Sequence, residues 1–223
     1  MHLKRQKIPK NWPIKRKGTA YVVKPNFATE KGLPILIILR DILKIAQNRK
    51  EVKRAIHLKQ ILLNNKRVVD EKNSALLFDI VTIIPLKNGK KSQKKHYRLE
   101  ISNKGKFRFE ELKESEANNK ISKIINKTTL KGKRTQLNLN DGRNFISDIK
   151  CKVNDSVLIN FKEKTKIEKC LPLKEKARAI IVSGKHSGEK GIIDSLNKEN
   201  KSVELELGDK KIHVLIKQLI ILE

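Results

Sequence analysis

Apolar and polar positions follow three different patterns along this chain, and the changes of pattern divide it. Over residues 1–29 no periodicity can be traced, and Pro9, Pro13 and Pro25 keep the backbone extended. From Pro34 to Asn48 apolar residues recur at helical spacing: Leu36, Leu39, Leu43 and Ala46, with Ile38, Ile42 and Ile45 beside them. Pro34 suits a first helical turn. Asn48 followed by Glu51 resembles a capping box and opens a second, shorter helix carrying Val52, Ala55 and Ile56. The stretch Ile61-Leu62-Leu63-Asn64-Asn65-Lys66-Arg67-Val68-Val69-Asp70 then reads as two apolar strands around a tight polar turn. Asparagine tolerates the left-handed backbone that such a turn needs.

Beyond residue 75 the pattern predicts strands. Ala75–Ile84, Tyr97–Ile101, Lys106–Phe109, Ser122–Ile125, Gln136–Leu139, Phe145–Ile149 and Ser156–Phe161 are short and β-prone. Turn signals separate them at Asn88-Gly89, Lys104-Gly105, Lys131-Gly132 and Asp141-Gly142. Residues 75–173 therefore read as one compact β domain whose topology spacing does not fix. In the tail, 174–223, an apolar run from Ala177 enters a loop with glycines at 184, 188 and 191 and leaves through Ile192-Ile193. Val203–Leu207 and Ile212–Ile216 follow around Gly208-Asp209, and Leu219–Leu222 closes the chain. Five short strands in this space fit a small barrel, which also removes free sheet edges. The fold class expected is α+β, mostly β.

Charge changes the picture most. The chain holds 52 Lys and Arg against 24 Asp and Glu, a formal net charge of +28. Self-repulsion of that size calls for a polyanionic partner, and phosphate backbones supply one through counterion release. A membrane is the weaker choice, since no apolar stretch reaches the roughly 18 residues that spanning needs and no signal-peptide layout is present. The first 29 residues contain no acid, and their basic residues Lys4, Arg5, Lys7, Lys10, Lys15, Arg16 and Lys17 are candidate RNA contacts. Such an arm is expected to be disordered alone and to order on RNA, with Trp12 or Tyr21 either stacking on a base or tucking into the protein. The lysines Lys90, Lys91, Lys94 and Lys95 are expected to be exposed in a loop. Two cysteines, Cys151 and Cys170, lack zinc-site spacing and fit a reduced, cytoplasmic setting.

Catalytic chemistry finds little support. The histidines at 2, 57, 96, 186 and 213 fall in separate segments, and no His-Glu-x-x-His, Walker-type loop, nucleophile elbow or paired-cysteine cluster occurs. Asp141-Gly142-Arg143 reads as a hairpin turn rather than an acid beside a guanidinium. No cofactor, metal or small-molecule substrate is expected.

Several motifs resemble known modules. The glycine-spaced loop at 184–191, lifting Lys185, His186 and Lys190 outward, resembles the KOW motif of small SH3-like barrels. Two helices and a basic hairpin resemble the S4-like, or alpha-L, RNA-binding domain, with Leu-Asn-Asn-Lys-Arg-Val matching its hairpin except that Asn65 stands where glycine is usual. That resemblance makes Arg40, Lys44, Lys53, Arg54, Lys66 and Arg67 candidates, the alternative being the solvated faces of two amphipathic helices. His2-Leu3-Lys4-Arg5 with Pro9, Trp12 and Pro13, Val22-Val23-Lys24-Pro25-Asn26, Leu33-Pro34-Ile35, Leu39-Arg40-Asp41, Glu51-Val52-Lys53, Lys131-Gly132-Lys133 and Gln136–Asn144 together resemble the S4e family of small-subunit ribosomal proteins, in its archaeal form.

The resemblance implies a basic N-terminal arm (1–33), an S4-like domain (34–74), a central β domain (75–173) and a KOW-like barrel (174–223). It also implies a structural, non-catalytic role in the ribosome, with small-subunit rRNA and neighbouring ribosomal proteins as partners. Lys131, Lys133, Arg134 and Arg143 join the candidate contacts on the matched stretch. The competing expectations are an RNA-modifying enzyme that uses the S4-like module for targeting, and a transient translation or transcription factor.

Overall fold

A computed structural model describes residues 2–85, 93–147, 149–162, 165–197, 199–208 and 210–222, and the Lys133 side chain lies outside that description. The turn expected at Asn88-Gly89, the lysines Lys90 and Lys91, and Asp209 of the last expected hairpin fall outside the described residues. The chain divides into two units, Met1–Glu100 with Lys106–Asn118, and Ile101–Gly105 with Asn119–Glu223.

In the first unit the segment expected as an extended arm is folded back on itself. Strand β1 (Leu3–Lys4) pairs antiparallel with β2 (Tyr21–Val22). Between them Ile8 and Trp12 are buried. A buried tryptophan and isoleucine supply the apolar anchor that a search for regular periodicity cannot detect.

Strand β3 (Gly32–Pro34) leads into one α-turn, α1 (Ile35–Ile37), which widens into a π-turn over Ile38–Ile42. Pro34 is extended, with ψ 143°, so it precedes the helix instead of opening it. Ile35 to Leu39 are all buried, so the first turns of this helix have no polar face, and Arg40 and Asp41 are its accessible polar positions. Each such side chain contributes about 1.5–3 kcal/mol of burial, before the entropy of ordering is subtracted. The helix expected to reach Asn48 ends at Leu43, because Lys44 takes a φ of 53° and turns the chain away. Helix α2 (Arg49–His57) begins as expected: Asn48 Oδ1 accepts from Glu51 N at 3.0 Å, and Glu51 Oε2 accepts from Gln47 N at 2.7 Å.

Strands β4 (Ile61–Leu63) and β5 (Lys66–Arg67) form the expected hairpin, with Leu63 opposite Lys66. Asn64 and Asn65 both have positive φ, 50° and 60°, as a type I′ turn requires. The Asn64 side chain is buried and donates to Asp79 Oδ1 at 2.8 Å, while Asp79 Oδ2 accepts from Leu76 N at 2.7 Å. The run expected as one strand over Ala75–Ile84 is broken by Phe78, with φ 62°. It becomes β6 (Ser74–Leu76), paired with β3, and β7 (Ile80–Ile83). With β8 (Lys95–Ile101) and β9 (Phe107–Leu112) the sheet order is β5-β4-β7-β8-β9. The hairpin thus shares a sheet with strands that lie beyond the boundary expected at 74/75. Two short strands alone bury too little to be stable, and the neighbouring strands supply the missing face.

The second unit carries two five-stranded sheets. The first contains β10 (Asn119–Thr129), β11 (Thr135–Leu139), β12 (Asn144–Ile146), β13 (Ser156–Asn160) and β14 (Lys166–Leu171), in the order β12-β11-β10-β13-β14. The first half of β10 pairs with β13 and the second half with β11; a register shift between Ile124 and Asn126 marks the change. Ile124, Leu137, Leu139, Val157, Ile159 and Phe161 form its core with Cys151. β14, rich in lysine, was not among the expected strands.

The second sheet contains β15 (Arg178–Ile181), β16 (Lys190–Asn197), β17 (Ser202–Leu207), β18 (Lys210–Leu215) and β19 (Leu219–Ile221), ordered β18-β17-β16-β15-β19. Ala179, Ile181, Ile193, Val203, Leu205, Val214 and Leu219 are its core. The fold is mostly β with few helices, and no helix among the described residues is long and apolar enough to cross a membrane.

Candidate nucleic-acid interface

The basic residues of the first segment divide between scaffold and surface. Arg5 belongs to the scaffold: Nε donates to Thr19 O, Nη1 to Lys15 O and Nη2 to Thr19 Oγ1, each at 2.7 Å. Its backbone amide also donates to Ala20 O at 2.9 Å. Three of its five donor positions thus close its own loop. The closure holds Lys15, Arg16 and Lys17 on an exposed turn, and Lys4, Lys7 and Lys10 are exposed as well. Trp12 is only 2% exposed, so it does not stack on a base in this conformation; it is the member of the aromatic pair that tucks in. Tyr21 is the other, 57% exposed, with the His2 ring 5.4 Å away and tilted by 53°.

Lys44, Lys53 and Arg54 project from the helical region and Lys66 and Arg67 from the hairpin, all exposed. Arg40 is half-neutralised instead, pairing with Asp41 through Nε at 3.0 Å and Nη2 at 2.9 Å. A residue that sequence reasoning passed over, Arg49, stands at the first position of α2. Its Nε donates to Glu71 Oε1 at 2.8 Å and Nη2 bonds the same oxygen, and this hydrogen bond raises the guanidinium pKa further. Glu71 is buried, and no local signal connects two residues so far apart in sequence.

In the second unit Lys131 and Arg134 are exposed at the turn between β10 and β11. Arg143 is partly drawn inward: its guanidinium lies 4.8 Å over the Phe161 ring and Nε is 3.7 Å from Asp141. Asp141 is itself occupied, accepting from the buried Lys120 amine at 2.7 Å. An acid sealed by a buried lysine does not serve as a general acid toward an RNA base. Lys123 is buried too and donates to Ile216 O, and burial pulls its pKa down to about 8.

The loop between β15 and β16 is closed by Gly188 N donating to Ile181 O at 2.7 Å and Ser187 Oγ donating to Val182 O at 2.8 Å. Gly188 has φ 96°, and a Cβ there would stand 2.1 Å from Ser102 O, so no side chain fits. Lys185 is exposed at the loop, Lys190 is exposed where β16 begins, and His186 Nδ1 lies 3.0 Å from Glu189 Oε2. His186 therefore already has a carboxylate partner.

Carboxylates are withdrawn from the surface more than cations are. Glu71, Asp79, Glu100 and Asp155 are buried, against Lys120 and Lys123 on the basic side. Asp155 accepts from Lys152 N at 2.7 Å and Leu173 N at 2.9 Å. The remaining surface is accordingly more positive than composition alone states. Cys151 and Cys170 are free thiols in one core; burial, with the neighbouring Cys151 thiol, pushes Cys170 up to about 12, so it stays protonated near neutral pH.

The model of the Ribosomal family S4e matches residues 93–166, and that of the RS4NT domain matches residues 1–27. Small ribosomal subunit protein eS4 of Methanothermobacter thermautotrophicus is 34% identical, covering 98% of this chain and 90% of its own length. The eS4 protein of Methanocella arvoryzae is 36% identical, covering 87% and 80%. The crystal structure of 30S ribosomal protein S4e from Thermoplasma acidophilum shares the fold, with a TM-score of 0.70 at 23% identity over 86% of this chain and 95% of that one. On the strength of the full-length relatives, this chain belongs to the S4e family of ribosomal proteins.

Proposed function

We propose that the chain holds and bridges segments of small-subunit rRNA through phosphate-directed basic surfaces. As an S4e-family member it is a structural constituent of the small ribosomal subunit, a class without catalysis. The observation that carries the finer reading is the surplus of exposed cations: among the described residues four carboxylates but only two lysines are buried, and lysine and arginine stand exposed on turns, α2 and the hairpin. Lys15, Arg16 and Lys17 form one contact group, Lys44, Lys53, Arg54, Lys66 and Arg67 a second, and Lys131 and Arg134 a third. Lys185 and Lys190 form a fourth. Lys133 and Arg143 belong to this reading by position in the chain. The helices with the β4–β5 hairpin act as the S4-like module, and β15–β19 as the KOW-like, SH3-like barrel. The partners are small-subunit rRNA and neighbouring ribosomal proteins, and the setting is the cytoplasmic ribosome.

Contacts of this kind position the protein without reading base sequence, and each releases counterions. Binding to a small-subunit rRNA transcript should therefore fall steeply and linearly in log–log plots against salt. Reversing Lys53 and Arg54 to glutamate should flatten that slope by about one to two units. A salt-independent affinity would contradict the reading.

A further inference from the structure

The N-terminal hairpin borders a cleft that none of the four contact groups uses. His2, Leu3, Tyr21, Lys24, Arg49 and Lys72 are among the residues around its volume of about 640 Å³; among the described residues no carboxylate lines it, and the nearby Asp70 is occupied, accepting from the lining Asn26 at 3.2 Å and from Lys72 N at 3.2 Å. That volume lies within the range of clefts that hold a nucleotide-sized ligand. Trp12, Phe78 and Phe107 are buried, whereas Tyr21 is 57% exposed on the wall of the cleft, its ring steadied by the tilted His2 ring. Phe27 is also exposed, but it does not line this space.

Arg49 is pinned rather than free to wander. Two of its nitrogens, Nε and Nη2, bond Glu71 Oε1, which leaves Nη1 to meet a ligand with little rotamer entropy left to lose. Glu71 is buried, so the carboxylate that orients the guanidinium does not compete for the ligand from the cleft surface. Lys24 and Lys72 are exposed at the same cleft.

We propose that this cleft takes one unpaired nucleotide of RNA, its base stacked on Tyr21 and its phosphate held by Arg49, Lys24 and Lys72. The proposal rests on the reading of the chain as an rRNA-binding protein and adds to it a place where a base, not only a backbone, is engaged. An aromatic face accepts any base, so the site is selective for single-stranded over paired RNA and not for sequence.

The test uses the full chain and a ten-nucleotide single-stranded RNA of uridines with one central 2-aminopurine and an end label. Anisotropy of the label reports binding, and 2-aminopurine emission reports stacking. The parent and Tyr21→Phe should both bind and quench the emission. Tyr21→Ala should lose most of the quench and bind about 5- to 100-fold more weakly. Lys72→Gln should keep the quench while lowering the salt slope by about one. Undiminished quenching with Tyr21→Ala would overturn the cleft and leave phosphate-directed binding intact. Absence of binding by the parent at low salt would overturn both readings.

Discussion

Lys123 carries a charge that serves the fold and not a partner. Its amine sits among buried groups and donates to Ile216 O, and burial lowers its pKa to about 8 from the usual 10.5. Between these two values the unfolded chain binds the extra proton and the folded chain does not, so stability must rise with pH across that window. Lys123→Met should remove this rise, which urea unfolding of parent and variant at pH 7.5 and 10 would measure. Asp141 makes a related case. Asp141→Ala should destabilise the second unit by about 3 kcal/mol, because it strands the buried Lys120 charge without its carboxylate. At this scale the sequence was least legible. Lys120, Lys123 and Arg5 look like every other basic residue of a chain with 52 of them, and only packing separates them from Lys15 or Lys53. Trp12 could be read either way, since an indole is equally suited to a core and to a base.

Elements whose signal is local could be read well. The Asn48–Glu51 cap and the Asn64-Asn65 turn lie where a few neighbouring residues put them. Asn48→Ala should cost about 1 kcal/mol of stability, measurable as a lowered urea midpoint with unchanged slope. Where the outcome depended on distant residues, expectation and structure part. Lys44 ends the first helix early although apolar spacing continues through Ile45 and Ala46. The Phe78 break turns one expected strand into two that join different sheets, because Asp79 is tied to Asn64 and to Leu76 N. The glycines of the β15–β16 loop were read for their freedom of turn, and Gly188 adds a steric reason. Gly188→Ala should destabilise by about 2–4 kcal/mol, since both its positive φ and the approach to Ser102 O exclude a Cβ. A near-neutral result in the same unfolding measurement would show that the 101–105 segment yields easily.

For the whole molecule, net charge and its sorting decide function. A surplus of +28, with four carboxylates buried among the described residues, leaves a surface suited to a polyanion. That much was legible from composition, and the family followed from motif order along nearly the full length. The partition into units was not, because a sheet that joins the hairpin to β7, β8 and β9 is a long-range pairing without a local mark. The most direct measurement is sedimentation of ribosomes from the source cells after a high-salt wash, with quantitative mass spectrometry of each peak. An integral constituent predicts one copy per small subunit, retained through the wash. Substoichiometric presence, or release with the wash, would contradict the account and favour a transient factor.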